Sequence, residues 1–243
     1  MFPAGILRSP FFSPDWPLHL QYGAFGSVAA HELSHAFGEQ KVQAEIIPIQ
    51  ADVSPDFIDN TGAQYDERGR LRDWWTNSTV KAFKEKAQCV ARQYSNYSIP
   101  GPDGKPVYIN GNLTNGEDLG DSGIVFAYNA WKEAAKGQHD AHGKLPGLNF
   151  TESVRNQAVP GGQRLLNPRK SHSDQLFFLA SARVWAQLIK PESALTRIRT
   201  DPHSPNEWRS NGQVAGFARF AEAFHCKPGS KASPTLPPHS PVD

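Results

Sequence analysis

The sequence of 243 residues lacks the features that most directly assign a protein to a membrane or to a nucleic acid. It contains no run of about 18 apolar residues, so no membrane-spanning segment is predicted. The formal net charge is only +1, which argues against a polyanionic partner such as DNA or RNA. Cysteine occurs twice, as Cys89 and Cys226, and two cysteines so far apart do not identify a redox compartment.

No signal peptide is predicted in the first residues, although another feature suggests a secreted protein. The first residues show no basic stretch and no small-residue cleavage site. Four Asn-x-Ser/Thr sequons are present, where chance would give about one or two; they begin at Asn77, Asn96, Asn112 and Asn149. A secretory origin without a signal peptide leads us to expect that the start of a longer protein is missing.

The most informative segment runs from His31 to His35 and has the pattern HExxH. Residues four positions apart lie on one face of a helix, so the two imidazoles can approach one point with the Glu32 carboxylate beside it. Two neutral imidazoles suit a zinc ion, and a nearby carboxylate can deprotonate a metal-bound water. Small residues around the motif indicate a closely packed helix over Tyr22 to Phe37. The alternative is a helix that carries two histidines by chance.

A second acidic pair lies in a predicted helix whose N-cap is Thr114 or Asn115. Glu117 and Asp121 are four residues apart and therefore share one face of this helix. Taken alone, two acids near a helix N-terminus are explained by the helix dipole. Beside an HExxH helix, however, Glu117 becomes a candidate third zinc ligand, because a catalytic zinc has three protein ligands and one open position. Asp121 can then accept a proton from a ligand imidazole and fix its tautomer.

The rest of the chain is predicted to alternate helices with polar loops. Apolar stripes indicate helices from about Asp73, over Asp174 to Ile189, and over Val214 to His225. Residues 227–243 are rich in proline, serine and lysine and are predicted to be a disordered tail. The expected organisation is therefore one domain over residues 1–226, followed by this tail.

Eight segments, in the same order, resemble the neprilysin / endothelin-converting-enzyme family of zinc metallopeptidases. They are FPAGIL ending at Leu7 with FF at 11–12, HELSHAF at 31–37, LRDWWT at 71–76, GEDLGDSG at 116–123, LPGL at 145–148, DQLFFL at 174–179, TDPHSPNEWR at 200–209 and FAEAFHC at 220–226. Together they cover most of the chain and are similar to the C-terminal catalytic part of the family's ectodomain.

The resemblance implies a mainly α (α+β) fold, namely a thermolysin-like zincin catalytic domain with a small sheet. It implies one Zn²⁺ per chain and the hydrolysis of peptide bonds in oligopeptide substrates. The implied roles are zinc ligand for His31, His35 and Glu117, catalytic base for Glu32, carboxylate behind a ligand for Asp121, transition-state stabiliser for His203 and substrate-binding arginine for Arg209. Without the resemblance, a histidine and an arginine in a polar turn are expected to be solvated only.

Some parts of the sequence depart from the family pattern. The stretches at about 38–58 and 152–171 resemble insertions, and we interpret them as retained non-coding segments or lineage-specific loops. The resemblance implies that the family's N-terminal lid domain is missing from this sequence, and no membrane contact is expected from this fragment. The full-length parent is expected to be extracellular or a membrane-anchored ectodomain. Two alternatives stay open: a catalytically inactive remnant that binds zinc or peptide without turnover, and an interaction domain whose HExxH pattern is accidental.

Overall fold

A computed structural model of the chain describes residues 2–36, 66, 68–136, 172–230 and 232. Both predicted insertions, at about 38–58 and 152–171, lie outside the described residues. The predicted tail at 227–243 is described only at its beginning. The proposed limits of the domain, its insertions and its tail therefore stay predictions.

Helices dominate the described part of the chain. They are a 3₁₀ turn (Ala4–Ile6), α1 (Leu18–Gln21), a π-helical segment (Tyr22–Gly26), α2 (Ser27–His35), α3 (Asn77–Tyr94), α4 (Gly111–Asp121), α5 (Ile124–Ala134), α6 (His172–Val184), α7 (Pro191–Thr200), α8 (Asn206–Val214) and α9 (Ala218–Phe224). A small antiparallel sheet pairs β1 (Ser98–Pro100) with β2 (Pro106–Tyr108), with Ile99 opposite Val107. The predicted mainly helical fold with a small sheet is confirmed. Within the described ranges, no helix combines the length and the apolar character that crossing a membrane requires.

The helix that carries the HExxH pattern is continuous from α1 through the π-helical segment to α2. It packs closely on α6 because Gly23 has no side chain. A Cβ atom at that position would collide with the backbone carbonyl of Phe177. The small residues of the sequence thus allow the contact between two helix backbones that supports α2.

Aromatic and aliphatic side chains form the main core between α5, α6 and the C-terminal helices. Its buried members are Ile124, Ala127, Tyr128, Trp131, Phe177, Phe178, Val214, Phe217 and Ala223. The buried Gln175 side chain donates a hydrogen bond to the carbonyl oxygen of Ala223 at 2.8 Å, which joins α6 to α9. This core lies on one side of the helix that contains α2.

A second, smaller core attaches the β-hairpin to α7 and α8. Its buried members are Ile99, Ile109 and Ile198. The Trp208 ring stacks on Tyr97 with 4.1 Å between ring centroids, and Trp208 Nε1 donates to the Ser98 carbonyl at 2.9 Å. The hairpin therefore fixes α8, which begins three residues after His203.

The predicted N-cap of α4 is wrong. The helix begins earlier, at Gly111, because the Asn110 side chain accepts hydrogen bonds from the backbone N–H groups of Asn112 and Leu113. Thr114 lies inside the helix, where its hydroxyl donates to Asp118 Oδ2 at 2.7 Å.

Several predicted helix limits also differ from the structure. The helix expected from about Asp73 begins at Asn77, after a Thr76 side chain that caps Thr79 N–H at 3.2 Å. The helix expected to continue to Ile189 ends at Val184. The single helix expected over 214–225 is instead the end of α8 followed by α9, with Gly216 at φ 86° between them.

Candidate metal centre

Two helices bring three metal-binding side chains together. His31 and His35 lie one turn apart on α2, and Glu117 projects from α4. His31 Nε2 lies 2.9 Å from His35 Nε2 and 3.1 Å from Glu117 Oε2, and His35 Nε2 lies 3.7 Å from the same oxygen. One ligand atom from each residue falls within a group spanning no more than 4.8 Å. The predicted convergence of the two segments is therefore present.

The spacing of these atoms fits a zinc ion. Tetrahedral zinc with bonds of about 2.0–2.1 Å places its ligand atoms about 3.3 Å apart. The three observed separations of 2.9, 3.1 and 3.7 Å lie on both sides of that value. Two imidazoles and one carboxylate are also the ligand types of a catalytic zinc site that keeps its fourth position open.

Gly120 makes room for the two imidazoles. A Cβ atom at this position would lie 2.7 Å from His31 Cε1 and 3.1 Å from His35 Cε1, which is closer than ordinary van der Waals contact. The face of α4 that carries the acidic pair is thus shaped to receive the α2 histidines.

Asp121 holds the second nitrogen of His31. Its Oδ1 lies 2.9 Å from His31 Nδ1, which leaves Nε2 directed at the ligand group. Arg209 donates to the same carboxylate through Nε and Nη2, at 2.9 and 2.8 Å, and its guanidinium lies 3.9 Å from the centre of the Trp185 ring. The side chains of His31, Asp121 and Arg209 are all buried, so the hydrogen bonds among them are little exposed to solvent.

His203 lies in the segment between α7 and α8, and its side chain approaches the Glu117 carboxylate. Its Nε2 lies 3.2 Å from Glu117 Oε2, and its Nδ1 lies 2.8 Å from Asp201 Oδ1. The backbone N–H of His203 donates to that Asp201 oxygen as well, at 2.9 Å. The imidazole is therefore held between two carboxylates, with one nitrogen directed at the candidate metal ligands.

The carboxylates around the candidate metal ligands stabilise positive charge on the neighbouring histidines. Burial opposes protonation of His31, but hydrogen bonds with Asp121 and Glu117 outweigh it and raise the pKa of His31 to about 9. Burial likewise opposes ionisation of Glu117, yet hydrogen bonds from His203 and His31 lower the pKa of that carboxyl. Hydrogen bonding to Glu117 is the main cause that raises the pKa of His203. The ionised carboxylates of Glu117 and Asp121 thus stabilise a cation where the imidazoles of His31 and His35 meet, which suits a divalent metal.

Glu32 stands apart from this hydrogen-bonded group. It follows His31 on α2 and its side chain is exposed. In the described part of the chain, no hydrogen bond or ion pair engages it. The structure therefore brings six of the seven predicted site residues into direct contact and leaves Glu32 at the solvent-facing edge beside them.

Asp201, Gly120 and Trp185 are not among the predicted site residues, although each one lies beside a predicted site residue. An acidic residue two positions before His203 was a usable signal for Asp201, because a carboxylate that close can reach the imidazole. Trp185 and Gly120 carried no such signal, since their roles depend on which helices pack together.

Comparisons with known proteins agree with this geometry. The model of peptidase family M13 matches residues 1–46 and 56–237. Endothelin-converting enzyme 1 from Homo sapiens is 38% identical over 240 residues, a match that covers 98% of this chain and 24% of that protein. Neprilysin-3 from Drosophila melanogaster is 35% identical, with 97% of this chain and 24% of that protein covered. The chain spans about a quarter of the length of these relatives.

Solved structures give the same result for the fold. The zinc metalloprotease Zmp1 from Mycobacterium tuberculosis, in complex with an inhibitor, matches with a TM-score of 0.70 and 28% identity. The match covers 100% of this chain and 30% of that one. PepO from Lactobacillus rhamnosis matches with a TM-score of 0.64 and 27% identity, over 96% of this chain and 28% of that one. The chain belongs to peptidase family M13, a family of zinc metallopeptidases, and has its mostly helical, zincin-like fold.

Proposed function

We propose that this chain carries the catalytic centre of a zinc-dependent metalloendopeptidase that hydrolyses peptide bonds in oligopeptides. The observation that carries the proposal is the convergence of His31, His35 and Glu117 within 4.8 Å in a chain of family M13. These three residues would hold one Zn²⁺ per chain. A zinc ion bound in this way supplies Lewis acidity and lowers the pKa of a coordinated water towards about 7.

Glu32 is proposed as the general base. Its exposed carboxylate, next to His31 on α2, is accessible to a substrate and to the attacking water. As a general base, Glu32 would accept a proton from the attacking water and would deliver it to the leaving amine. Its position outside the hydrogen-bonded group supports this role, because no ion pair in the described chain holds its charge.

His203 and Arg209 are proposed to act on the substrate. Asp201 accepts from His203 Nδ1, so His203 Nε2 can donate to the carbonyl oxygen as negative charge develops on it. The raised pKa of His203 favours the protonated imidazole, in which both nitrogens donate. Arg209 uses Nε and Nη2 on Asp121, and we propose that Nη1 binds a substrate carbonyl or carboxylate on the leaving-group side.

The substrates and surroundings of the whole protein also belong to this proposal. We expect peptide substrates, no nucleic-acid partner, and a full-length protein that is extracellular or carries this domain in a membrane-anchored ectodomain. A lid formed by a further domain would limit substrates to peptides. The catalytically inactive alternative predicts zinc binding without turnover.

The proposal is tested with wild-type protein, Glu32→Gln and the control Glu85→Gln, which changes an exposed glutamate on α3. We expect stoichiometric zinc in all three and cleavage of a fluorogenic peptide by the wild type and the control. A chelator should abolish this cleavage and added zinc should restore it. Glu32→Gln should lower turnover by about 10²–10⁴-fold, because a positioned acid–base group contributes that much. Zinc binding without turnover in the wild type would support the inactive alternative, and absence of zinc would refute the metal centre.

A further inference from the structure

An arginine on the solvent side of the site contacts the carboxylate that holds His203. Arg197 lies in the last turn of α7, four residues before Asp201. Its Nε and Nη2 atoms each lie 2.8 Å from Asp201 Oδ2. About half of the Arg197 side chain is exposed, so it contributes little to the core.

The two oxygens of Asp201 have separate partners. Oδ2 accepts from Arg197, whereas Oδ1 accepts from both the backbone N–H and the ring Nδ1 of His203. The imidazole then presents Nε2 to Glu117 at 3.2 Å. A continuous series of charged contacts therefore leads from the surface of α7 to the candidate metal ligands.

We propose that Arg197 is a positioning residue for His203. It fixes the rotation of the Asp201 carboxylate, so that Oδ1 stays directed at both N–H groups of His203. The inference rests on the proposed peptidase function, in which His203 Nε2 donates to the developing oxyanion. Arg197 itself does not touch the substrate.

The location of Asp201 explains why its carboxylate needs a second contact. Asp201 is the C-cap residue of α7, where the backbone becomes extended, with φ −84° and ψ 130°. Its side chain can rotate there unless both oxygens are engaged. Arginine suits this purpose because two N–H groups of its planar guanidinium approach one carboxylate in a fixed geometry, whereas lysine offers a single charged group on a flexible chain.

Kinetics at two salt concentrations provide the first test. The variants are Arg197→Met, Arg197→Lys and the control Arg199→Met, which removes an exposed arginine on the same helix. At low salt we expect Arg197→Met to lower kcat about 2- to 5-fold, the range for a partly exposed ion pair. KM should change little, Arg197→Lys should be intermediate, and Arg199→Met should match the wild type. The difference between the wild type and Arg197→Met should shrink in 1 M salt, where the Debye length is about 3 Å.

A second measurement does not depend on turnover. Nitrogen-15 NMR of the His203 ring reports whether Nδ1 carries a proton that is hydrogen-bonded to Asp201. In the zinc-loaded protein, Arg197→Met should change this Nδ1 signal and Arg199→Met should not. If zinc-loaded wild type shows no turnover, the proposed peptidase function fails and this NMR comparison alone decides the positioning role.

The two measurements distinguish positioning of His203 by Arg197 from a general effect of positive charge on α7. An unchanged kcat and an unchanged Nδ1 signal in Arg197→Met would overturn the inference. An equal effect of Arg199→Met would also overturn it, because any loss of positive charge on α7 would then suffice to lower kcat or to change the Nδ1 signal. Rescue by Arg197→Lys together with a salt-sensitive kcat supports it.

Discussion

The close fit between Gly120 and the two histidines leads to a sharp prediction for Gly120→Ala. The new Cβ would lie 2.7 Å from His31 Cε1, 2.8 Å from His31 Nδ1 and 3.1 Å from His35 Cε1. Carbon atoms in favourable contact are about 3.5–4.0 Å apart, so the His31 ring must retreat by about 0.8 Å. It cannot do so freely, because Asp121 holds Nδ1 at 2.9 Å and Glu117 lies 3.1 Å from Nε2.

The size of the effect follows from the tolerance of metal coordination. Zinc sites keep their ligand distances within about 0.2 Å, which is much less than the shift of the His31 ring. We expect zinc affinity to fall about 10–100-fold, as it does when groups that orient a ligand are removed. At a fixed free-zinc concentration well above the Kd of both the wild type and the variant, a 100-fold loss of affinity lowers the stabilisation by zinc by about 2.7 kcal/mol. Helix propensity partly offsets this loss of stability, since alanine is favoured over glycine in a helix by about 1 kcal/mol.

Zinc dissociation constants from competition with a chromophoric chelator provide the assay, together with thermal unfolding with and without zinc. Gly5→Ala is the matched control, because no atom lies within 4 Å of the added Cβ. The metal-free Gly120→Ala protein should retain its helical circular dichroism. Wild-type zinc affinity in Gly120→Ala would refute the reasoning, and so would an equal loss in Gly5→Ala.

Three further perturbations have defined outcomes. His203→Ala should lower kcat about 10²–10³-fold with bound zinc unchanged, because it removes the proposed oxyanion donor; a wild-type kcat would exclude that role. Arg209→Met should lower the free energy of unfolding by about 3–5 kcal/mol in urea titrations, since it removes the guanidinium that donates two hydrogen bonds to the buried Asp121 carboxylate; a loss below 1 kcal/mol would show that the pair is not buried in solution. Burial lowers the pKa of His19 to about 4, so the unfolded chain binds its proton first as pH falls. Stability from this group is complete above pH 6.5 and is lost as pH falls towards 4, by about 3 kcal/mol in total; urea titrations at pH 7.5 and 4.5 should show a smaller decrease for His19→Phe than for the wild type.

The parts of the site that could be predicted are those in which chemistry and helical spacing coincide. His31 and His35 are recognisable because an i, i+4 pair of imidazoles requires nothing beyond a helix. Glu117 and Asp121 satisfy the same spacing rule, and they became interpretable only beside the first pair. The resemblance to a known family added His203 and Arg209, which local pattern does not distinguish from solvated residues.

The remaining features depend on contacts between distant segments. The polar stretch at 200–209 contains the start of α8, which forms where Trp208 stacks on the hairpin. Helix α7, with its short apolar face around Ile198, is stabilised by the same small core and was not predicted. The spacing of two residues already allows Asp201 to reach His203, but the orientation of this pair depends on α7 and α8, because the carboxylate lies at the end of one helix and its imidazole partner precedes the other.

The start of α4, where the N-cap prediction was wrong, decides whether the acidic pair faces the histidines. Asn110 caps the first turn, and Gly111 lies so close to the Ala91 carbonyl of α3 that no side chain could fit there. Each residue turns an α-helix by about 100°. A helix that made the same contact with α3 but began one residue later would therefore direct the side chain of Glu117 away from His31. The register of the metal-binding face is thus set six and seven residues before Glu117, by Gly111 and Asn110, neither of which is a predicted metal ligand.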